Sequence, residues 1–262
     1  MMDRLATNAR VVGALGRRSV VQTLRRPQLA APLIVFPTAL LAIQTAGAGQ
    51  AINLPQFPPV ENFLSFMLAG AIVQSVMMTG NAGAIAFAID IEMGFTDRLF
   101  AAPIPRFAIV LGRLAGTAVL GLFAALWFLA IGLIFGAHIE GGIPGALLAI
   151  ALVTASALAV GGIGAAIALR SGSASVVQGL FPLVLVVLFL STAFFPQELM
   201  IEPAKTIAQY NPLSFIVEGV REPIIAGIDA TVTLEAVLAI AGIVVLGLVL
   251  SSRALKHRLR VG

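Results

Sequence analysis

The amino-acid sequence predicts an all-α polytopic membrane protein with six transmembrane helices, and three observations lead there. Of 262 residues, 59% are hydrophobic and 11% are charged, where a soluble domain carries about one quarter charged residues. The apolar residues come in runs of roughly 20, the length a helix needs to cross a hydrocarbon core of about 30 Å. Alternating apolar and polar decads, the mark of a membrane β-barrel, are absent, and helices satisfy their own backbone hydrogen bonds in lipid. The whole chain, 1–262, reads as one membrane domain. A cytoplasmic leader occupies 1–29, helices one to five 30–195, an extracytoplasmic helical loop 196–233, and helix six with a cytoplasmic tail 234–262.

The leader comes first. In "GRRSVVQTLRRPQLAAP", Val20, Val21 and Leu24 share one helical face, while Arg17, Arg18, Gln22 and Arg25 fall largely on the other. That pattern predicts an amphipathic helix lying at the membrane interface, ended by Pro27. The arginine-rich start and Ala46-Gly47-Ala48 loosely fit a signal peptide, but about 28 residues precede the apolar run, too many for a normal n-region.

The spans follow at roughly 30–48, 63–89, 107–136, 146–169, 176–195 and 234–252. An even number puts both termini on one side, and charge selects it. With the termini cytoplasmic, the inner segments hold 14 of the 16 basic residues, and the outside keeps Lys205 and Arg221. The positive-inside rule is then met on every inner segment. The net charge of +4 and pI near 10.6 are thus a topology signal, with juxtamembrane arginines facing anionic lipid, and not a nucleic-acid-binding surface.

Between spans two and three lies a charged island, "DIEMGFTDRLFAAPIPR", in the first inner loop. Ile91, Phe95 and Leu99 recur at i, i+4 and i+8, and Phe100 broadens the stripe. Glu92, Thr96 and Asp97 sit off it, and Pro103 and Pro105 halt the helix. Such a helix is suited to a groove on a cytoplasmic partner. The alternative is a helix lying on the headgroups, which the acids Asp90, Glu92 and Asp97 oppose by repulsion from an anionic leaflet.

Between spans five and six, "FFPQELMIEPAKTIAQYNPLSFIVEGVREPIIAG" is too long for a simple link. Asn211-Pro212 reads as an N-cap with Pro at the first helical position. Leu213, Ile216, Val217 and Val220 then form an apolar face, Ser214, Glu218 and Arg221 the opposite one, and Pro223 stops the helix. It is expected either to pack as a surface helix or to gate a pathway.

Catalytic chemistry has little to work with. There is no cysteine, and the two histidines, His138 and His257, fall on opposite sides of the membrane. A histidine metal cluster and a serine–histidine pair within the membrane both fail. The span interiors have essentially none of the acids and bases of an ion-coupled carrier, with Arg113 close to the inner end of span three, where it can snorkel, and Glu235 opening span six from the outside. Their polar residues are neutral, Gln74 and Asn81 among them. Seven apart on one face of span two, these two either bond helix to helix or line a pathway. Two small-xxx-small motifs, Gly112–Gly116 and Gly132–Gly136, are read as helix packing. A phosphate-cradling loop needs a lysine, and Lys205 and Lys256 stand in no such context. No enzyme is expected, and any work must come from a partner.

In the order of leader, six spans and "IEMGFTDRLFAAPIPRFAIVLGR" in the first inner loop, the chain resembles the ABC-2 type permeases, the daunorubicin-resistance exporter subunits among them. Glu92, Gly94, Asp97, Arg98, Leu99 and Pro103 stand at the positions of that family's loop motif, and Asn211, Pro212, Leu213, Glu218 and Arg221 at those of its outer one. Phe95-Thr96 reverses the usual order after the glycine. The resemblance implies an export permease of hydrophobic or amphipathic substrates (drug, antibiotic or lipid), in the cell membrane. A separate ATP-binding-cassette subunit would bind ATP and Mg, and a second copy or a paralogous permease would complete the unit. It makes residues 90–102 the coupling helix and the leader the interfacial connecting helix. Rival readings are an ATP-independent carrier or channel for small solutes and a membrane-embedded enzyme.

Overall fold

The computed structural model describes residues 2–25, 27–96 and 106–261. Asp97, Arg98, Leu99, Phe100 and Pro103 of the expected coupling helix lie outside the described residues. Among the described residues every regular element is helical. In chain order these are α1 (Met2–Leu24), α2 (Pro27–Ala48), α3 (Phe63–Glu92), α4 (Arg106–Ile134), α5 (Gly142–Ser171), α6 (Ala174–Gly179), α7 (Phe181–Phe189), α8 (Ala204–Tyr210), α9 (Pro212–Ile225) and α10 (Ala230–Val261), with short 3-10 turns at Gly49–Asn53 and Gln197–Leu199.

Among the described residues, five helices are long and apolar enough to cross a membrane: Ala31–Asn53, Phe63–Glu92, Leu114–Ile134, Gly142–Ser171 and Ala230–Leu255. The expected fifth span is different. Residues Ala174–Phe189 form a shorter apolar stretch, split into α6 and α7 at Leu180. Pro182 explains the split, because it has no N–H to continue the helical ladder.

At the centre stands α3, buried on nearly every side. Its small residues let neighbours approach. A Cβ at Gly70 would strike the Ala193 carbonyl, one at Gly80 the Val160 side chain, and one at Gly83 the Thr117 hydroxyl. Large apolar residues such as Phe66, Met67, Ile72 and Val73 fill the space between. Outward faces of the peripheral helices carry Leu122, Phe123, Leu126, Leu238, Val245 and Leu246 exposed, the surface a helix offers to lipid.

Proline chemistry also ties α2 to α3. Pro37 lies inside α2 and leaves the Leu33 carbonyl without its helical donor. The Ser75 hydroxyl of α3 donates to that carbonyl at 2.8 Å, the repair a buried backbone group in an apolar medium requires.

α1 is longer than the sequence reading and does more than lie flat. It packs on α4 where Gly16 meets Ala115 and Gly112 meets Leu15, with Ser19 buried. Gly112 of the first small-xxx-small motif therefore serves a helix crossing.

Candidate functional site

Polar side chains gather at the two ends of the bundle. At one end α3 runs on through Asp90 and Ile91 to Glu92. Gly94 then takes φ +68°, a left-handed conformation that glycine adopts at little cost, and helical backbone resumes at Phe95 and Thr96. The stripe Ile91–Phe95–Leu99 is therefore not one continuous helix. Ile91 is a core residue, packed with Ala84, Phe87, Leu169, Val177 and Ala254, and not part of an accessible docking face.

Two side-chain links tie this junction to other helices. Arg18 of α1 pairs with Asp90 at 3.6 Å, and its guanidinium lies 3.7 Å from the Phe95 ring centroid. The Glu92 carboxylate accepts from the Ala174 N–H of α6 at 2.8 Å. Ser173, the N-cap of α6, provides no side-chain cap of its own, so α3 supplies one from 82 residues away. An anionic acceptor at a helix N-terminus meets both an orphan donor and the positive end of the helix dipole. Arg17 and Arg25 are exposed and Val21 half-buried.

At the opposite end, Asn211 joins two helices. Its Oδ1 accepts from the Leu213 N–H at 2.9 Å, capping α9. Its Nδ2 donates to the carbonyls of Val187 at 2.8 Å and Leu190 at 2.9 Å, the last turn of α7. Pro212 occupies the first turn of α9, where its missing N–H costs nothing. Leu213, Ile216, Val217 and Val220 are buried as predicted, but so are Ser214 and Arg221, and Pro223 lies inside a helix that continues to Ile225. α9 is thus buried on both faces instead of lying amphipathic on a surface. Its far turn also meets the α4–α5 connection, where the N–H groups of Glu140 and Gly141 donate to the carbonyls of Ile224 and Pro223.

Arg221 is 2% exposed. Its guanidinium donates to the carbonyls of Phe66 at 3.2 Å, Thr192 at 2.7 Å and Ala193 at 3.3 Å, and pairs with Glu218. This satisfies a buried charge as the interior demands.

Two cavities adjoin these links. An apolar one of about 230 Å³ lies among α3, α5, α6, α7, α9 and α10, with Asn81, Gly80, Gly164, Leu180, Val184 and Leu213 on its wall. Asn81 is its one amide side chain among the described residues. Gln74 is 1% exposed, stands two turns away outside that lining, and leaves both amide atoms unpaired among the described residues. The structure thus brings one member of the predicted pair to a cavity and not the other. A second cavity of about 380 Å³, lined partly by Glu198, Glu218, Glu222 and Glu235, opens beside Arg221. Burial, then the charges of Asp229 and Glu218, push the Glu222 carboxyl up from its ordinary value. The sequence reading missed Phe66, Thr192 and Glu222. Phe66 sits in an unbroken apolar run, and the glutamates are scattered over 38 positions of chain, so neither carries a local pattern.

An all-helical bundle with several membrane-length helices, and cavities between them, defines a multi-pass membrane protein. The sequence model of the ABC-2 type transporter family matches residues 10–225, and the chain belongs to that family. A curated relative, the daunorubicin resistance ABC transporter permease protein DrrB1 of Streptomyces coeruleorubidus, is 29% identical over 163 residues, covering 62% of this chain and 58% of that protein's length. Members of the family are transport subunits that lack the ATPase site and associate with an ABC ATP-binding subunit.

Proposed function

We propose that the chain is the membrane-spanning permease subunit of an ATP-driven exporter. It would move a hydrophobic or amphipathic cargo out of the cytoplasm or inner leaflet, with a separate ATP-binding-cassette subunit binding ATP and Mg and a second permease completing the transporter. The Arg18 end is cytoplasmic on this reading, because the basic residues collect there, and α6–α7 is a sixth, interrupted crossing. The apolar cavity and the drug-resistance name of the relative both support an amphipathic cargo such as a drug, antibiotic or lipid.

The observation that carries the mechanism is the Glu92–Ala174 hydrogen bond beside the Arg18–Asp90 pair. Both join the last turn of α3, which leads into the following loop, to other helices, α1 and α6. A motor that grips residues 93–102 would pull on both helices at once. α6 and α7 carry Val177, Leu180, Val184 and Val187 of the apolar cavity wall, and α7 is fastened by Asn211 to α9. Movement of the loop would therefore reshape the cavity and reach the opposite end along hydrogen-bonded helices, a two-ended linkage of the kind energetic coupling needs.

Co-expression with a candidate ATP-binding-cassette subunit tests the reading. Replacing Phe95 and Leu99 with Asp should abolish co-purification and transport-linked ATP hydrolysis. A double variant that still assembles and pumps would refute the coupling assignment.

A further inference from the structure

We propose that Gln74 is a positioning residue for a movement of α7: its amide is unpaired in the present arrangement and donates to the last turn of α7 in a second one. One buried side chain then sets how readily the bundle opens at that helix.

The other polar groups inside the bundle show what is unusual about it. Ser75 and Thr79 of the same helix donate to the carbonyls of Leu33 and Ser75, each at 2.8 Å. Thr154 and Ser156 of α5 donate to the carbonyls of Ile150 and Leu152. Gln74 is 1% exposed, and neither its Nε2 nor its Oε1 has a partner among the described residues. An amide taken out of water without replacement bonds is penalised on both its donor and its acceptor, and such groups are uncommon enough to need a reason. The penalty falls on this arrangement alone. It therefore favours any other arrangement that pairs the amide.

Helical geometry selects the partner. Gly70 and Gln74 are four residues apart and Gln74 and Asn81 seven apart, so all three share one face of α3. A Cβ at Gly70 would strike the Ala193 carbonyl, just beyond α7. Asn81 lies in the apolar cavity, whose wall includes Val184 and Val187 of α7. Gln74 stands between these two points, at the end of the cavity and on the side of α3 that faces α7. The two helices run antiparallel, with Gly70 against Ala193 at one end and Glu92 bonded to Ala174 at the other. Gln74 is thus level with the last turn of α7. A helix end presents carbonyls that its own ladder does not use, and Asn211 now holds those of Val187 and Leu190. The break at Leu180 makes α7 a separate body of nine residues. A slide of that body into the cavity would carry its end carbonyls from Asn211 towards the Gln74 Nε2. An apolar side chain of the same length at position 74 would hold the present arrangement closed.

This equilibrium belongs to the chain itself, so its main test uses neither ATP nor a motor subunit. The chain contains no cysteine, and a single introduced thiol reports its own exposure. Leu188→Cys puts one on the buried side of α7, and Leu152→Cys puts a reference thiol in α5, against Gly219 of α9. Each is labelled with N-ethylmaleimide in uncharged detergent, with Gln74 and with Gln74→Met. The methionine chain should melt several degrees higher, and the thiol at 188 should slow about tenfold more than the thiol at 152, the size of one net hydrogen bond lost from the second arrangement. Val184→Cys on the same helix and Gln74→Leu give the same comparison should either first variant fail to fold. Equal slowing at the two thiols would mean that Gln74 is only an unfavourable core residue, and a melting temperature unchanged or lowered would mean that its amide is not penalised; either overturns the proposal. With a candidate ATP-binding-cassette subunit, Gln74→Met should assemble normally yet move cargo severalfold more slowly, and undiminished pumping also overturns it. A parent complex that does not pump at all would count against the exporter reading, and the thiol comparison still decides for Gln74.

Discussion

Arg221 grips Phe66 twice, through its backbone and its ring. Its Nε donates to the Phe66 carbonyl at 3.2 Å while its guanidinium carbon stands 3.9 Å from the centroid of the Phe66 ring. One side chain of α9 therefore fixes both the start of α3 and the Thr192–Ala193 turn after α7. Only a planar fork reaches three carbonyls, a carboxylate and a ring face together. Arg221→Lys keeps the charge but not the fork, and should lower stability by about 1–3 kcal/mol. Arg221→Gln leaves Glu218 and buried carbonyls without their donor and should cost about 3–5 kcal/mol. Thermal melting in detergent measures both. A lysine variant as stable as the parent would remove the fork from the argument. Phe66→Leu keeps the carbonyl and removes the ring, losing the cation contact, about 0.5–2 kcal/mol, together with the packing on Phe57 and Phe63.

Asn211 makes a second prediction, because its amide does two opposite jobs. Its oxygen caps the N-terminus of α9 and its nitrogen caps the C-terminus of α7. Asn211→Asp keeps the first job and turns the second into repulsion between a carboxylate and two carbonyls. Although aspartate is as good an N-cap as asparagine, the variant should melt earlier by an amount equivalent to about 1–3 kcal/mol, the cost of the buried acceptors left unpaired. Asparagine and aspartate variants of equal stability would show that the α7 bonds contribute nothing.

Glu222 should give a pH-dependent effect. Its carboxyl is raised by burial first and by Asp229 and Glu218 next, while Arg221, Glu198 and Glu235 share the same cavity wall. A raised acid holds its proton more tightly folded than unfolded. Above pH 4.5, the ordinary value, the folded state thus keeps more of its protons than the unfolded state does, and stability falls as pH rises through that window. Glu222→Gln removes the penalty. The variant should match the parent below the window and melt at a higher temperature at neutral pH. A difference that is constant between acid and neutral pH, or of the opposite sign, would contradict the assigned shift.

How far the chain could be read in advance depends on whether a residue's role was local. Long apolar runs announce helices, because a run of that length has one solution in lipid, and the Asn211-Pro212 cap is written in two adjacent residues. Pro182 also stood in plain view, yet its effect on the fifth run was outweighed by the hydropathy around it. Roles that depend on distant partners were less legible. Periodicity placed Ile91 on a stripe with Leu99, but the left-handed turn at Gly94 ends α3 between them and leaves Ile91 in the core. Likewise, Arg221 looked like the polar face of a surface helix, since nothing near it in sequence reveals carbonyls at positions 66, 192 and 193. Pro223 was read as a terminator. So close to the end of α9 it forfeits only one internal bond, and its own carbonyl is used by Gly141.

The junction at Glu92 separates a structural cap from a coupling element. The carboxylate accepts from the Ala174 N–H at 2.8 Å, and a glutamine carbonyl can accept from the same donor, whereas alanine cannot. Glu92→Gln should therefore retain most coupling. Glu92→Ala should cost about 1 kcal/mol of stability, the usual loss of an N-cap. If α6 follows the loop through this bond, Glu92→Ala should also split the two activities of the complex with its motor. ATP hydrolysis and co-purification would persist while cargo movement per ATP falls severalfold. A merely structural cap would lower both activities together, in proportion to the folded protein remaining. Loss of ATP-subunit binding in both variants would instead place the Glu92 carboxylate at the motor interface, and equal transport per ATP in Glu92→Ala and the parent would rule out the linkage.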